Sequence, residues 1–295
     1  MKSRLKEKFY QNIFAVLAFS SLFFLLGIVA VLFKEGFPIF RETGFWDFIS
    51  GRNWYPVYDP PEFGILPLIL GSVWVTAGAV IVCVPLGVGS ALYLNEIASF
   101  RQRRFLKPAI ELLASIPSVV YGFFGMVVLT PFLQKVFNLP TGMTALNASL
   151  ILGIMATPTV SSIAEDALSV VPRSFREASF AVGATRWQTL TNVVIPAAGS
   201  GISTAIILGM SRAIGETMTV LMVAGGAAVV PRTFLEPVRP MTAAIAAEMG
   251  EAPMGGAHYH ALFAIALVLF VITFVFNIIA EIISRRFRLK LGLSG

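Results

Sequence analysis

The sequence predicts an all-α integral membrane protein with six transmembrane helices, and three observations carry that reading. Hydrophobic residues fill 56% of the 295 positions while charged residues fill only 13%, about half the share that a water-facing surface needs. The mean hydropathy is +0.80. Long runs without Asp, Glu, Lys or Arg recur along the chain at the length of a bilayer core, roughly 20 residues of helix. This balance excludes an ordinary soluble enzyme and a disordered chain. A single cysteine, Cys83, excludes an internal disulfide or a cysteine-built metal cluster, and the two histidines, His258 and His260, leave little for histidine chemistry. No cofactor is expected.

The spans follow in order. Phe9–Phe33 is the first charge-free run; its basic lead, MKSRLKEKF, resembles a signal peptide, but the run is too long and lacks a small-residue cleavage site, so a retained first span is expected. Phe63–Asn95, Leu112–Gln134 and Val136–Ala164 come next, and Ala261–Ala280 closes the series. A sixth run, Ala198 to Val230, is interrupted by Arg212 and Glu216. Backbone groups in lipid must bond within their own segment, which makes these runs helices. The expected spans are about 9–33, 66–95, 109–133, 144–166, 198–228 and 261–284, in one transmembrane body behind a short tail at 1–8.

Orientation follows from the basic residues of the connections. The N-terminal tail, the connections around Arg101–Lys107 and Arg173–Arg186, and the C-terminal tail together hold fifteen of the 22 Lys and Arg; six lie on the other side, and Arg212 lies within a span. The richer side is expected to be cytoplasmic, with both termini inside. Topology thus accounts for the net charge of +6, and no nucleic-acid partner is expected. The 34–62 connection is rich in aromatics (Trp46, Phe48, Trp54, Tyr58), which reads as an interfacial belt in the lipid headgroups, and 231–260 reads as a solvated loop.

The connection VVPRSFREASFAVGATRWQTLTNVVIPAAGSG carries two amphipathic runs around Gly183. Phe180, Val182, Trp187, Leu190, Val193 and Val194 can form a helix-turn-helix face, either a knob for a partner's groove or a helix lying on lipid. Glu177, Ala178, Gly183 six residues after the Glu, Val193 and Pro196 resemble the coupling loop of ABC importer permeases, with Ser179 and Val193 as small departures. Three further segments, FGILPLILGS (63–72), KPAIELLASIPSVVYGFFG (107–125) and SRAIGETM (211–218), are similar to the C-type permease subunits of phosphate-specific importers.

That resemblance implies a type I importer permease fold in the cytoplasmic membrane. It also implies a heterodimer with an A-type permease, two copies of a cytoplasmic ATPase on the coupling loops (172–197 here), and an external phosphate-binding protein. The chain would be no enzyme itself, and its sequence lacks a G-x-x-x-x-G-K-[ST] phosphate loop. Arg212 lies about 22 Å into the fifth span, where a charge is costly and normally faces a partner or a water-filled path. Glu216 falls four residues on, on the same face of a continuous helix. One reading is a self-neutralised packing pair. The other is a transient phosphate site, with a guanidinium fork matched to phosphate oxygens, Glu216 limiting the attraction, and Ser211 and Thr217 adding hydroxyls. The alternatives are an ABC permease for sulfate or molybdate, an ion-gradient transporter, and a membrane scaffold reporting nutrient status.

Overall fold

The computed structural model describes residues 2–290, and the side chains of residues 2–8, 283–284 and 286–290 lie outside the description. Of the charge count, Lys2, Arg4, Lys6, Lys8, Arg286, Arg288 and Lys290 therefore fall outside the described side chains.

Helix α1 (Lys2–Thr43) runs well past its apolar stretch. Its apolar residues from Phe9 are largely exposed, while its C-terminal third packs on the last helix; a Cβ on Gly36 would stand 3.0 Å from the Ala264 backbone nitrogen. A short α2 (Phe45–Ser50) and a two-stranded hairpin, β1 (Trp54–Tyr55) against β2 (Glu62–Phe63), follow. Helix α3 (Leu66–Leu92) ends in a π-helical turn at Tyr93–Ile97.

The amphipathic α4 (Phe100–Ala114) opens on a capping box, in which Ser99 and Gln102 satisfy each other's backbone N–H. It buries no residue, because it lies against the body rather than in it. The next span is α5 (Ser118–Phe124), a π turn at Gly125–Leu129, and α6 (Thr130–Val136). This span starts nine residues later than the expected 109. Pro117 has no N–H to donate and bars helical geometry at Ile116, so the helix ends at Ala114 and a new one begins at Ser118. That break separates Glu111 and Ser115 from Ser118, and the Ser115 hydroxyl donates to the Leu112 carbonyl.

Helix α7 (Ala145–Ser169) is the central element, buried between α3 and a later span, α11 (Gly199–Gly215). Contact is close because small residues face large ones: Val160 inserts between Gly87 of α3 and Gly209 of α11, and Val82 meets Gly153. After α7 come α8 (Arg173–Ala181), α9 (Arg186–Thr189), a π turn at Leu190–Val194 and α10 (Ile195–Ala197). The chain then bends by 69° into α11 (Gly199–Gly215). Among the described residues five helices are long and apolar enough to cross a membrane, six if this bent pair is one span.

The fifth span differs from the continuous 198–228 expected. It stops at Gly215, Glu216 adopts extended backbone (φ −71°, ψ 132°), and the short α12 (Met218–Val223) starts anew. The chain then reverses at Gly225 and Gly226, both at positive φ.

Residues 231–260 are no solvated loop. Helix α13 (Met241–Glu248) buries Met241, Thr242, Ala243 and Ala244, and α14 (Ala257–Lys290) completes the fold. Nor is the 34–62 segment simply a belt: Ile39, Phe48, Trp54 and Phe63 are buried in one apolar cluster with Met241, Leu262 and Ile265, while Trp46 and Tyr58 stay exposed. Rings were available for a core because α13 and α14 cover them, which local sequence does not reveal.

Candidate functional site

Three polar constructions stand out from the apolar body. The first surrounds Arg212, in the last turn of α11. Exposed carbonyls at a helix C-terminus favour a cation, and the guanidinium Nη1 donates to Thr159 Oγ1 of α7 at 3.0 Å. Among the described residues no carboxylate salt-bridges it. The expected Arg212–Glu216 face does not form, because the helix ends between the two. Instead Glu216 Oε1 accepts the Thr219 backbone N–H at 3.3 Å. The break is tied down from the side: Thr242 Oγ1 donates to the Glu216 carbonyl at 2.8 Å, and Thr219 Oγ1 donates to the Ser118 carbonyl at 2.9 Å. Thr217 Oγ1 donates weakly to the Gly215 carbonyl at 3.4 Å. Ser211 turns away to α14, where its hydroxyl donates to Asn277 Oδ1 at 2.8 Å. Arg212, Glu216 and Thr217 are thus gathered at one helix break, each half-buried, and Ser211 serves a helix contact.

From Thr159 a polar stripe runs down one side of α7. Thr159, Ser162 and Asp166 stay accessible, while Pro158, Val160, Ser161, Ala164 and Glu165 are buried. In the opposite direction the stripe closes, with Met155 only 1% exposed beneath Thr219. At the lower end Glu165 is 1% exposed and is bonded by both Arg103 and Lys107 of α4; Lys107 also reaches Asp166 at 3.3 Å. The bond to Glu165, more than the opposing desolvation, holds the Lys107 ammonium above its ordinary value of 10.5. Sequence reasoning missed this group because its members lie 58 and 62 residues apart. The available signal was the Glu165–Asp166 pair at the expected end of a span.

The second construction is the elbow between α7 and α11. Gly183 takes φ +86°, a left-handed conformation that glycine adopts freely, and it ends α8. Thr185 caps α9 in a capping box with Gln188. The Ser179 and Thr189 hydroxyls meet at 2.9 Å and hold the two limbs together. Arg176 anchors α8 to the body through Glu96 at 2.6 Å and the Val171 carbonyl at 2.8 Å. The apolar face divides in two. Leu190 and Val194 enter the core, whereas Phe175, Phe180, Val182 and Trp187 project into the open, the last two 84% and 70% exposed. Glu177 and Ala178 lie on the exposed limb and Pro196 at the elbow's return.

The third lies at the other end of the helices. The Glu248 carboxylate accepts from Trp54 Nε1 (3.0 Å) and Arg239 Nη1 (2.5 Å) and meets His258 Nε2 at 2.9 Å. His260 instead contacts the Glu35 carbonyl at 2.7 Å. Among the described residues no group of three or more His, Cys, Asp or Glu could hold a metal ion. Glu248 pins β1, α13 and α14 into one cap.

Comparisons with known proteins agree with this architecture. Residues 83–289 match the family described as the binding-protein-dependent transport system inner membrane component. A Bacillus subtilis protein called a probable ABC transporter permease protein, YqgH, is 40% identical over 81% of this chain and 78% of its own length. The phosphate transport system permease protein PstC of Mesorhizobium japonicum is 36% identical over 91% of this chain and 87% of its own. Among solved structures, a bacterial alginate ABC transporter aligns with a TM-score of 0.66 at 17% identity, covering 93% of this chain and 94% of that one. The MetNI methionine ABC transporter aligns at 0.57 with 20% identity, over 76% and 94%. The structural likeness shows a shared fold, with the type I importer permease arrangement of spans. With the family match across the span-bearing region and relatives above 30% identity along most of its length, this chain belongs to the binding-protein-dependent transport system inner membrane components.

Proposed function

We propose that this chain is a phosphate-conducting permease subunit of an ATP-driven importer. The observation that carries the proposal is Arg212: a half-buried guanidinium inside the helical body, held by one threonine hydroxyl and by no carboxylate among the described residues. Such a group is costly in a membrane unless an anion or water meets it, and its planar fork suits phosphate oxygens. Glu216 spends one carboxylate oxygen on the Thr219 N–H. The other is left to accept from the P–OH of monoprotonated phosphate, a proton that sulfate lacks at neutral pH. Similarity to proteins named as phosphate permeases supports the same anion.

The elbow is the ATPase contact in this reading. Glu177, Ala178, Gly183 and Pro196 set its shape, and exposed Val182 and Trp187 fill a partner's groove. The elbow end and both termini face the cytoplasm, an A-type permease completes the pore, two ATPase copies supply the energy, and an external binding protein delivers the anion.

The test is uptake of labelled phosphate by the full transporter in proteoliposomes. Arg212→Ala is expected to abolish uptake while the ATPase still co-purifies; normal uptake overturns the assignment. Phosphate, and not sulfate, is expected to compete for uptake. Deleting 174–189 is expected to abolish ATPase association without preventing membrane insertion, and persistent co-purification counts against the elbow's role.

A further inference from the structure

We infer that Lys107, held at the lower end of the α7 stripe by Glu165 and Asp166, is a second anion-binding position, through which phosphate passes after leaving Arg212. The inference rests on the reading of Arg212 given above and extends it to the release route.

Thr159, Ser162 and Asp166 are spaced i, i+3 and i+7, so they share one side of α7 and cover about 10 Å of its length. That side is accessible from Thr159 downward and closed above it by Met155 and Thr219. An anion released by Arg212 therefore has one polar direction open to it along α7, and that direction ends at Asp166 and Lys107. The charges there are unequal in quality. Glu165 is fully buried and shared between Arg103 and Lys107, so one carboxylate serves two cations. The remaining counter-charge, Asp166, is 67% exposed and 3.3 Å from the ammonium, a solvated and weak competitor. An ammonium has three donors; Glu165 and Asp166 occupy two, and 34% of the Lys107 side chain remains exposed. An anion can take the third donor and displace Asp166. A lysine suits release, since it offers a point charge rather than a bidentate fork.

The competing explanation is purely mechanical. Helix α4 buries no residue, so the Arg103–Lys107–Glu165 bonds serve to fasten it. The two roles separate because Asp166 has opposite meanings in them: a competitor for an anion, but a fastener for α4. The experiment uses the full transporter in proteoliposomes with inorganic phosphate added on the elbow side, and reads the internal phosphate concentration that halves uptake. Asp166→Asn is expected to lower that concentration and Lys107→Gln to raise it, each by about two- to fivefold, the range of a single exposed charge pair. Lys107→Arg keeps the charge and adds a fork, so it is expected to hold that concentration at or below the parent value; a rise like that of Lys107→Gln overturns the inference. Shifts in the same direction, or no shift in either variant, overturn the inference and leave a fastener. Should Lys107→Gln fail to assemble, Asp166→Asn alone decides: an unchanged or raised concentration overturns it. Full uptake by an Arg212→Ala transporter, or no phosphate uptake by the parent, would overturn the underlying reading and this inference with it. Ordinary uptake with unshifted inhibition overturns only the second position.

Discussion

Val160 is the keystone of the helix contact that carries Thr159, and its surroundings allow a quantitative prediction. It is fully buried between two glycines. A Cβ on Gly209 would stand 2.4 Å from Val160 Cγ2, with the next contact at 3.9 Å. A Cβ on Gly87 would stand 2.7 Å from Val160 Cβ and Cγ1 and 3.2 Å from the Thr157 carbonyl oxygen. Carbon pairs prefer about 3.5–4.0 Å, so either added methyl pushes α11 or α3 away by about 1 Å. Overpacking of this kind costs about 1–3 kcal/mol, and removing a helical glycine returns about 0.5–1 kcal/mol. Gly209→Ala, which meets one movable methyl, is expected to destabilise by about 1 kcal/mol, and Gly87→Ala, which also meets backbone, by about 2 kcal/mol. Val160→Ala alone removes two methyl groups, about 1.5–2.5 kcal/mol with its cavity. Combined with Val160→Ala, however, Gly209→Ala fills vacated space and becomes neutral or stabilising, a coupling of about 1–2 kcal/mol. Thermal unfolding of the purified variants in one detergent measures this. Additivity of the two changes to within about 0.5 kcal/mol would refute the proposed close packing.

Three further outcomes are expected. Gly183→Ala meets no neighbouring atom but must hold φ +86°; it is expected to lower elbow stability by about 1 kcal/mol, with Gly183→Asn milder, both read as faster proteolysis at the elbow. Glu248→Ala strands Arg239, His258 and the Trp54 indole and is expected to cost about 2–3 kcal/mol, with the loss showing as a shifted unfolding midpoint and altered tryptophan fluorescence. The raised Lys107 value makes its stabilisation complete below 10.5 and lost only as pH rises through the still higher folded-state value. Unfolding midpoints between about pH 6 and 9 should therefore differ between the parent and Lys107→Gln by a constant amount, and a difference that collapses within that range contradicts the Glu165 bond as its cause.

Much of this protein is legible without coordinates, because membrane insertion is a constraint that acts on local composition. Charge-free runs of bilayer length mark spans whatever they pack against, and the elbow is visible because Glu177, Gly183 and Pro196 lie within twenty residues of each other. Positive φ at Gly183 and the cap at Thr185 are likewise local. Breaks inside spans are harder. Pro117 signalled one, but a lone glycine such as Gly215 inside an apolar run does not by itself stop a helix; the break is secured by Thr242 and Ser118 from elsewhere in the chain.

The sequence by itself determined that the chain lives in a membrane, how many times it can cross, and that one arginine lies where a charge must have a purpose. Only tertiary structure decided what those charges meet. Arg212 faces Thr159 rather than Glu216, Glu165 binds two cations from a helix about sixty residues earlier, and Trp54 joins a half-buried carboxylate instead of a lipid belt. The physical reason is range: hydropathy and helix geometry are properties of neighbouring residues, whereas the partner of a half-buried charge is set by which helices pack together, and that depends on the whole chain at once.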